Sequence, residues 1–456
     1  MNIQEIVKNQ RNFYYTHQTK DLNYRENTLL KIKKWIQNNE SIICEALKKD
    51  LNKSETEAYM CEIGMTLSEL SDQIKHFRKW AKPHKVKTPL AQFYGTSFEL
   101  AEPYGVVLVM SPWNYPFMLT MAPAIGAIAA GNCVVIKPSA YAPEVSHVIK
   151  KLIDETCDPR HVCVVEGGRN ENTQLLEQRF DYIFFTGSVN VGKLVMEKAS
   201  KNLTPVTLEL GGKSPCLVDK NVDLKVAVKR IAFGKYLNAG QTCVAVDYLL
   251  IHESLVDAFI KELRVVVNEF FNHDPLNHEQ LVKIINRKHF ERLNGLLENQ
   301  KIVMGGNSDE KNNRIEPTAV LLDSINNPLM EEEIFGPILP IIPYSTLDEA
   351  INIIHTKEKP LAFYLYTNDS NVEKKCLNEN SFGGGCINDT IIHLASNELG
   401  FGGVGHSGMG QYHGIKSFET FSHKRSIVKK ATWIDLPMRY YPFDEAKKKM
   451  IKMFLK

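Results

Sequence analysis

The chain has no run of apolar residues long enough to cross a bilayer. Its most hydrophobic stretch, 117–136, is broken by Pro123, Gly126, Gly131 and Asn132 well before about 18 clean residues accumulate, and it reads as a buried helix entering a strand. It also lacks a charge of one sign: 55 Lys and Arg stand against 53 Asp and Glu. That balance excludes an overall field for nucleic acid or anionic lipid, so no nucleic-acid partner is expected and any such binding would need a local patch. The nine cysteines are odd in number and scattered, with no C-x-x-C and no Cys/His pairs at zinc spacing. Neither a disulfide framework nor a structural zinc is expected, and reduced thiols in the cytoplasm are. The first 20 residues lack the apolar core of a secretory signal, so export has no support. There is no solenoid repeat and no low-complexity tract.

What remains is ordinary globular composition, 43% hydrophobic and 24% charged over 456 residues, enough for two or three domains. Helical spacing of Leu22, Leu29, Leu30, Ile32, Trp35 and Ile36, then Ile42, Ile43, Ala46 and Leu47, predicts an all-helical opening. Between Pro83 and Pro103 the period shortens around Phe93, Tyr94, Thr96, Phe98 and Leu100, which predicts a projecting hairpin. From Gly105 onward, short apolar runs at 106–110, 134–136, 162–165, 182–185 and 206–210 begin 20 to 28 residues apart, with helical stretches near 118–130, 143–156, 171–178 and 189–200. This β-α spacing predicts a mostly parallel, doubly wound sheet that binds ligands at the carboxyl ends of its strands. A second α/β series begins at 216–218 and continues through strands near Tyr248, Ile302, Val320, Ile338 and Leu361. The final segment, 431–456, joins aromatics to Lys447, Lys448, Lys449 and Lys452. It reads as a short basic amphipathic helix, a docking arm for a partner subunit in preference to a membrane-surface contact.

Three residues suit carbonyl chemistry. Cys243 ends the small-residue turn NAGQTC, where a thiol and its own backbone N–H could face a cleft. Asn114, in SPWNYPF just past the 106–110 strand, could donate an amide N–H to a developing oxyanion. Glu209, in LELGGK at the end of an apolar strand, would be desolvated toward the pKa of a usable base. Taken singly, Cys243 reads first as an inert buried thiol, and Asn114 and Glu209 read as well as a turn amide and an edge carboxylate. The segment FFTGSVNVG, ending at Gly192, turns from strand to helix and puts backbone N–H groups where a phosphate could sit, although it is not G-x-G-x-x-G. The Lys137-Pro-Ser turn lies one strand away on the same sheet edge.

In their order along the chain, SPWNYPF, IKPS, FFTGSVNVGK, TLELGGKSP, GQTC, EEIFGPILP, INDT and FGGVGHSGMGQYHG resemble the aldehyde dehydrogenases, from about residue 15 to 430, and most nearly the class 3 branch of fatty and aromatic aldehyde dehydrogenases. The resemblance implies a Rossmann-like coenzyme domain (1–82 and 102–209), an α/β catalytic domain (210–394), a bridging oligomerisation segment (83–101 and 395–430) and the arm 431–456, in a homodimer. It implies Cys243 as nucleophile, Glu209 as general base, and Asn114 as the oxyanion amide partnered by the Cys243 N–H. The aldehyde becomes a thiohemiacetal, then a thioester, then an acid. It further implies Lys137 at the adenosine ribose, Gly187, Ser188 and Gly192 at the pyrophosphate, Glu333 and Phe335 at the nicotinamide side, and Trp113 lining the coenzyme cleft. Tyr115, Asn388, Phe401 and His413 fall on motifs flanking the substrate tunnel.

The chain departs from the family pattern at Ala140, where a Glu usually pairs with the adenosine 2′-hydroxyl. Loss of that acid removes repulsion against a 2′-phosphate, so NAD is expected as coenzyme with NADP also used. His406 and Val246 replace the usual Asn and Pro. The substrates expected are hydrophobic aldehydes: aliphatic, aromatic or polyene. The alternatives are an acylating or semialdehyde-specific dehydrogenase, which Glu209 disfavours, a coenzyme-independent cysteine esterase, which would need a His beside Cys243, and a retired enzyme scaffold.

Overall fold

The computed structural model describes residues 2–455. Two large sheets organise the chain. The first has six strands in the order Gly408–Met409, Val206–Glu209, Tyr182–Thr186, Val106–Met110, Cys133–Lys137 and Val162–Val164, all parallel except the Gly408–Met409 edge. The chain winds outward from Val106–Met110 through Cys133–Lys137 to Val162–Val164. It then returns to the other side through Tyr182–Thr186. The strand order reverses between Val106–Met110 and Tyr182–Thr186, which leaves a crevice outside their carboxyl ends. This is the doubly wound sheet expected from the β-α spacing. The helices Met118–Ala130, Pro143–Thr156, Arg169–Leu176 and Val189–Ser200 fall between its strands. Met118–Ala130 is apolar on every side and every residue of it is buried, as a helix without a polar face must be.

The second sheet has seven strands in the order Ile302–Met304, Thr318–Leu321, Ile338–Tyr344, Tyr248–His252, Pro215–Val218, Ala362–Tyr366 and Gly384–Ile387, parallel apart from the first pair. The sheets change over between Glu209 and Pro215. Helices open the chain, from Ile3–Tyr14 to Gly64–Trp80.

The expected hairpin is present as His84–Val86 paired with Gly95–Pro103, and Ser422–Lys430 adds a third antiparallel strand. Within the segment 395–430, that strand alone joins the small sheet. Gly408–Met409 instead pairs with the strand bearing Glu209, and Gly414–Thr420 packs on the helices Gly64–Trp80 and Met118–Ala130. The arm carries the helix Glu445–Phe454. No helix among the described residues is long and apolar enough to cross a membrane.

Candidate active site

The thiol sits at the end of a forced turn. After the helix Leu224–Tyr236 the backbone of Asn238, Ala239 and Gly240 is left-handed at φ 54°, 51° and 70°. Such a run is unfavourable for side-chain-bearing residues and persists only where its surroundings over-determine it. Gly240 is required here, because a Cβ would lie 2.3 Å from the Gly336 carbonyl oxygen. The turn is tied down from several directions. Asn238 Nδ2 donates to Asn114 O (3.0 Å) and Gln241 O (3.1 Å), and its backbone N–H donates to the Glu57 carboxylate (3.0 Å). Gln241 Nε2 donates to Asn238 O and Lys283 O, while its Oε1 accepts from Ile285 N.

Cys243 is half-buried at the end of this turn. Burial and the carboxylates of Glu333 and Glu209 push its thiol well above the ordinary value, while the backbone N–H groups of Cys243 and Val244 oppose them. Asn114 lies one strand end away, 2% exposed, with Nδ2 donating one proton to Gln241 O at 2.9 Å. Nδ2 has no second acceptor among the described residues and Oδ1 no partner, and the motifs SPWNYPF and GQTC meet through this one bond. No histidine bonds to Cys243 among the described residues. The Cys–His contact lies elsewhere, between Cys386 Sγ and His393 Nδ1 at 3.5 Å, which disfavours the esterase alternative.

Glu209 ends its strand 2% exposed, and neither carboxyl oxygen has a partner among the described residues. Desolvation alone pushes it well above the ordinary carboxylate value. A carboxyl raised in this way is a stronger base, once ionised, than an exposed one. Its carbonyl accepts from Gly187 N at 3.0 Å, which ties the base to the turn FTGS.

The crevice where the strand order reverses gathers the other cofactor candidates. Trp113 packs its ring 5.3 Å from Phe335 and 5.4 Å from His289. Burial, with Asp247 nearby, pushes the Glu333 carboxyl up to about 8. Ser188 begins the helix Val189–Ser200 without capping it, which leaves the first-turn N–H groups to an incoming anion. Gly192 is buried in that helix, where a Cβ would fall 2.7 Å from Leu210. Its part is to bring helix and sheet close together, and it does not face the crevice. Lys137 Nζ donates to Pro138 O at 2.7 Å. Burial lowers it to about 8, against the opposing charges of Glu171 and Glu166. Ala140 is exposed at the same edge. An uncapped helix end, a buried lysine, a desolvated carboxyl and two aromatic rings around one crevice fit a nicotinamide dinucleotide.

The four tunnel candidates divide. Phe401 keeps its ring among His393, Tyr412 and His413. Tyr115 is buried with its hydroxyl 2.7 Å from Thr242 Oγ1, bracing the thiol turn. Asn388 commits both side-chain atoms to the backbone of Thr367. His413, at φ 80°, stacks 4.1 Å from Tyr412 and places Nδ1 3.4 Å from Glu69. Asn388 and His413 therefore hold the scaffold with their polar atoms.

Sequence reasoning missed several supports. Lys53 and Glu62 form a fully buried ion pair of 2.6 Å, and Lys53 also donates to Asn114 O at 3.0 Å. Lys213 donates to Asp247 (2.5 Å), Leu329 O and Glu332 O, and Asp247 accepts from Ile334 N. Tyr364 donates to Val244 O at 2.6 Å. Tyr412 is buried, and the charges of Glu209 and Cys243 reach it. Lys213 and Tyr412 stood inside quoted motifs, whereas Lys53 and Glu62 carried no local signal. Val246 is core, and His406 is exposed, 3.6 Å from Glu358; nothing in the structure explains either replacement.

Residues 1–427 match the model of the aldehyde dehydrogenase family. The chain is 50% identical to the 4,4'-diaponeurosporen-aldehyde dehydrogenase of Staphylococcus aureus over 97% of each chain. It is 44% identical to the dimeric, NADP-preferring aldehyde dehydrogenase of Rattus norvegicus, over 94% of this chain and 95% of that one. A solved structure of Staphylococcus aureus AldH in a substrate-bound state superposes with a TM-score of 0.98 at 48% identity, covering the whole of both chains.

Proposed function

Because the chain belongs to the aldehyde dehydrogenase family, on its class 3 branch, and oxidises aldehydes with NAD(P), we propose that Cys243, Glu209 and Asn114 carry out that oxidation on hydrophobic aldehydes. The observation that carries the assignment is the pair of buried polar groups around the strained thiol turn: the Asn114 amide, whose Nδ2 makes a single hydrogen bond and whose Oδ1 makes none, and the Glu209 carboxyl, which has no partner among the described residues. Cys243 Sγ adds to the carbonyl carbon, and its proton passes to solvent, directly or by way of ionised Glu209, which is left ionised. The carbonyl oxygen takes the electron pair and is met by Asn114 Nδ2–H and the Cys243 N–H. Trp113, Lys137, Gly187, Ser188, Glu333 and Phe335 would hold a nicotinamide coenzyme, which would supply the hydride acceptor needed for this carbon to become a thioester. Glu209 then takes a proton from water as the water oxygen attacks the thioester carbon. The C–S bond breaks, releasing the carboxylic acid and restoring the thiol.

In this reading the first sheet with its helices binds coenzyme, and the second sheet carries the nucleophile. The small sheet, with Leu90, Phe93 and Val428 exposed, is the contact of a homodimer, measurable by sedimentation equilibrium. Nine cysteines, all unpaired among the described residues, suit the reducing cytoplasm. A long polyene aldehyde is one candidate substrate, in keeping with the name of the Staphylococcus aureus relative. The test is the initial rate of coenzyme reduction with a medium-chain aliphatic aldehyde, NAD and NADP being supplied separately. Both coenzymes are expected to work, because Ala140 offers no acid against a 2′-phosphate, and Cys243→Ala to be inactive with either. An NADP rate below about 1% of the NAD rate, a gap of about 2.7 kcal/mol, would sink the role given to Ala140.

A further inference from the structure

The near-neutral total charge conceals an asymmetry. Residues 422–456 contain ten Lys and Arg against three Asp and Glu, net +7 in a chain of net +2, so residues 1–421 are net −5. The arm leaves the small sheet at Ala431, whose N–H donates to Tyr94 O at 2.9 Å, and Trp433 packs edge-on to Tyr94 at 4.4 Å. It then folds on itself. Tyr440 bonds Asp435, and Lys447 Nζ donates to Tyr440 O and Pro442 O, which fixes Tyr441 and Phe443 beside the start of the helix Glu445–Phe454.

That helix buries none of its residues. Helical spacing places Ala446, Met450, Met453 and Phe454 on one face and Lys448, Lys449 and Lys452 on the other. Met453 is 62% exposed and Tyr441, next to the helix, 85%. A second copy meeting it arm to arm would set +3 against +3, since residues 431–456 carry six Lys and Arg and three Asp and Glu. An anionic polymer would satisfy the lysines and leave the apolar face in water. An anionic bilayer satisfies both, with the methionines and aromatics in the acyl boundary and the lysines at the headgroups. We propose that the arm 431–456 docks the enzyme on an anionic lipid surface, the helix lying in the plane of the interface. The inference stands on the arm's own residues and holds whichever aldehyde is oxidised.

The experiment is co-sedimentation of the full chain with phosphatidylcholine vesicles, with and without phosphatidylglycerol. The chain is expected to pellet with the anionic vesicles only, and to be released by high salt. Lys448→Glu/Lys449→Glu/Lys452→Glu should weaken vesicle binding by about a hundredfold, taking roughly fivefold per lysine. It should keep its oligomeric state and its kcat on a water-soluble aldehyde. Met450→Gln/Met453→Gln/Phe454→Gln should also release the chain. The proposal is overturned if the wild type stays in the supernatant, if the lysine variant pellets like it, or if the apolar variant binds undiminished, the mark of a general polyanion patch. Dissociation of the oligomer in either variant overturns it too, since that would make the arm a contact between copies.

Discussion

The site has two halves, and each hangs on a buried lysine–carboxylate pair, but the pairs reach differently. On the thiol side Lys53 and Glu62 come from the helical opening of the chain. They cross to the carboxyl end of the first sheet, where Lys53 holds Asn114 O and Glu62 accepts from Phe117 N and Met118 N. On the coenzyme side Lys213 and Asp247 belong to the second sheet's own loops and hold the nearby backbone at Leu329, Glu332 and Ile334. The oxyanion geometry therefore depends on long-range packing, whereas the Glu333–Phe335 loop is held locally. If that contrast is functional, substitutions on the thiol side should act on chemistry and those on the coenzyme side on coenzyme affinity.

The largest effect short of removing the thiol is expected at Glu209. Glu209→Gln leaves Cys243 able to form the thioester but removes the acceptor for the water proton. Steady-state turnover should fall by about 10²- to 10⁴-fold, and rapid mixing should show one equivalent of reduced coenzyme per site before turnover stalls. The wild-type kcat should rise with pH, because the folded carboxyl is raised by burial and gains its basic form only as pH climbs toward that value. A variant with full turnover, or one whose kcat keeps the wild-type pH profile, would take the base role from Glu209. Asn114→Ala should cost about 10²- to 10³-fold in kcat with coenzyme KM unchanged, the usual loss for one oxyanion donor. An equal loss in coenzyme affinity would mean that Asn114 serves the fold of the crevice and not the oxyanion.

These residues were legible because short motifs bind their chemistry to local geometry. A strand followed by Pro-Trp-Asn, or a small-residue turn ending in Cys, carries its meaning within six residues. The alternation of 106–110 through 206–210 was legible for a similar reason, since strands buried on both faces are continuous apolar runs. The strand Gly384–Ile387 was hidden, because three consecutive glycines look like a loop and their use in close pairing beside Ala362–Tyr366 depends on the neighbour. Asn388 and His413 were found by motif, but their side-chain partners, Thr367 and Glu69, are set by packing. Lys53 and Glu62 are ordinary charges on ordinary helices until the fold buries them.

The pair contrast can be tested directly. Removing one member of a buried pair strands the other charge, at about 3–5 kcal/mol, so both members are best replaced together. Lys53→Met/Glu62→Gln should lower kcat about ten- to a hundredfold while coenzyme KM stays put, since a displacement of Asn114 on the order of 1 Å suffices for that loss. Lys213→Met/Asp247→Asn should raise coenzyme KM by a similar factor and leave the hydrolysis of a preformed Cys243 thioester unchanged. If both double variants shift kcat and coenzyme KM together, the two halves move as one body and the contrast fails.

The smallest effect sharpens the coenzyme half. Burial lowers Lys137 to about 8, below the value of a free lysine, so its charge is present at pH 7 and fades as pH rises through 8. A 2′-phosphate beside Ala140 would meet that charge, whereas a 2′-hydroxyl needs only a hydrogen-bond partner. KM for NADP should accordingly rise a few-fold between about pH 7 and pH 9, a change on the order of 1 kcal/mol, while KM for NAD moves much less. Lys137→Arg, which keeps its charge throughout, should flatten the NADP profile. Parallel profiles for the two coenzymes would place the 2′-phosphate out of reach of Lys137, and the tolerance expected from Ala140 would then rest on the missing acid alone.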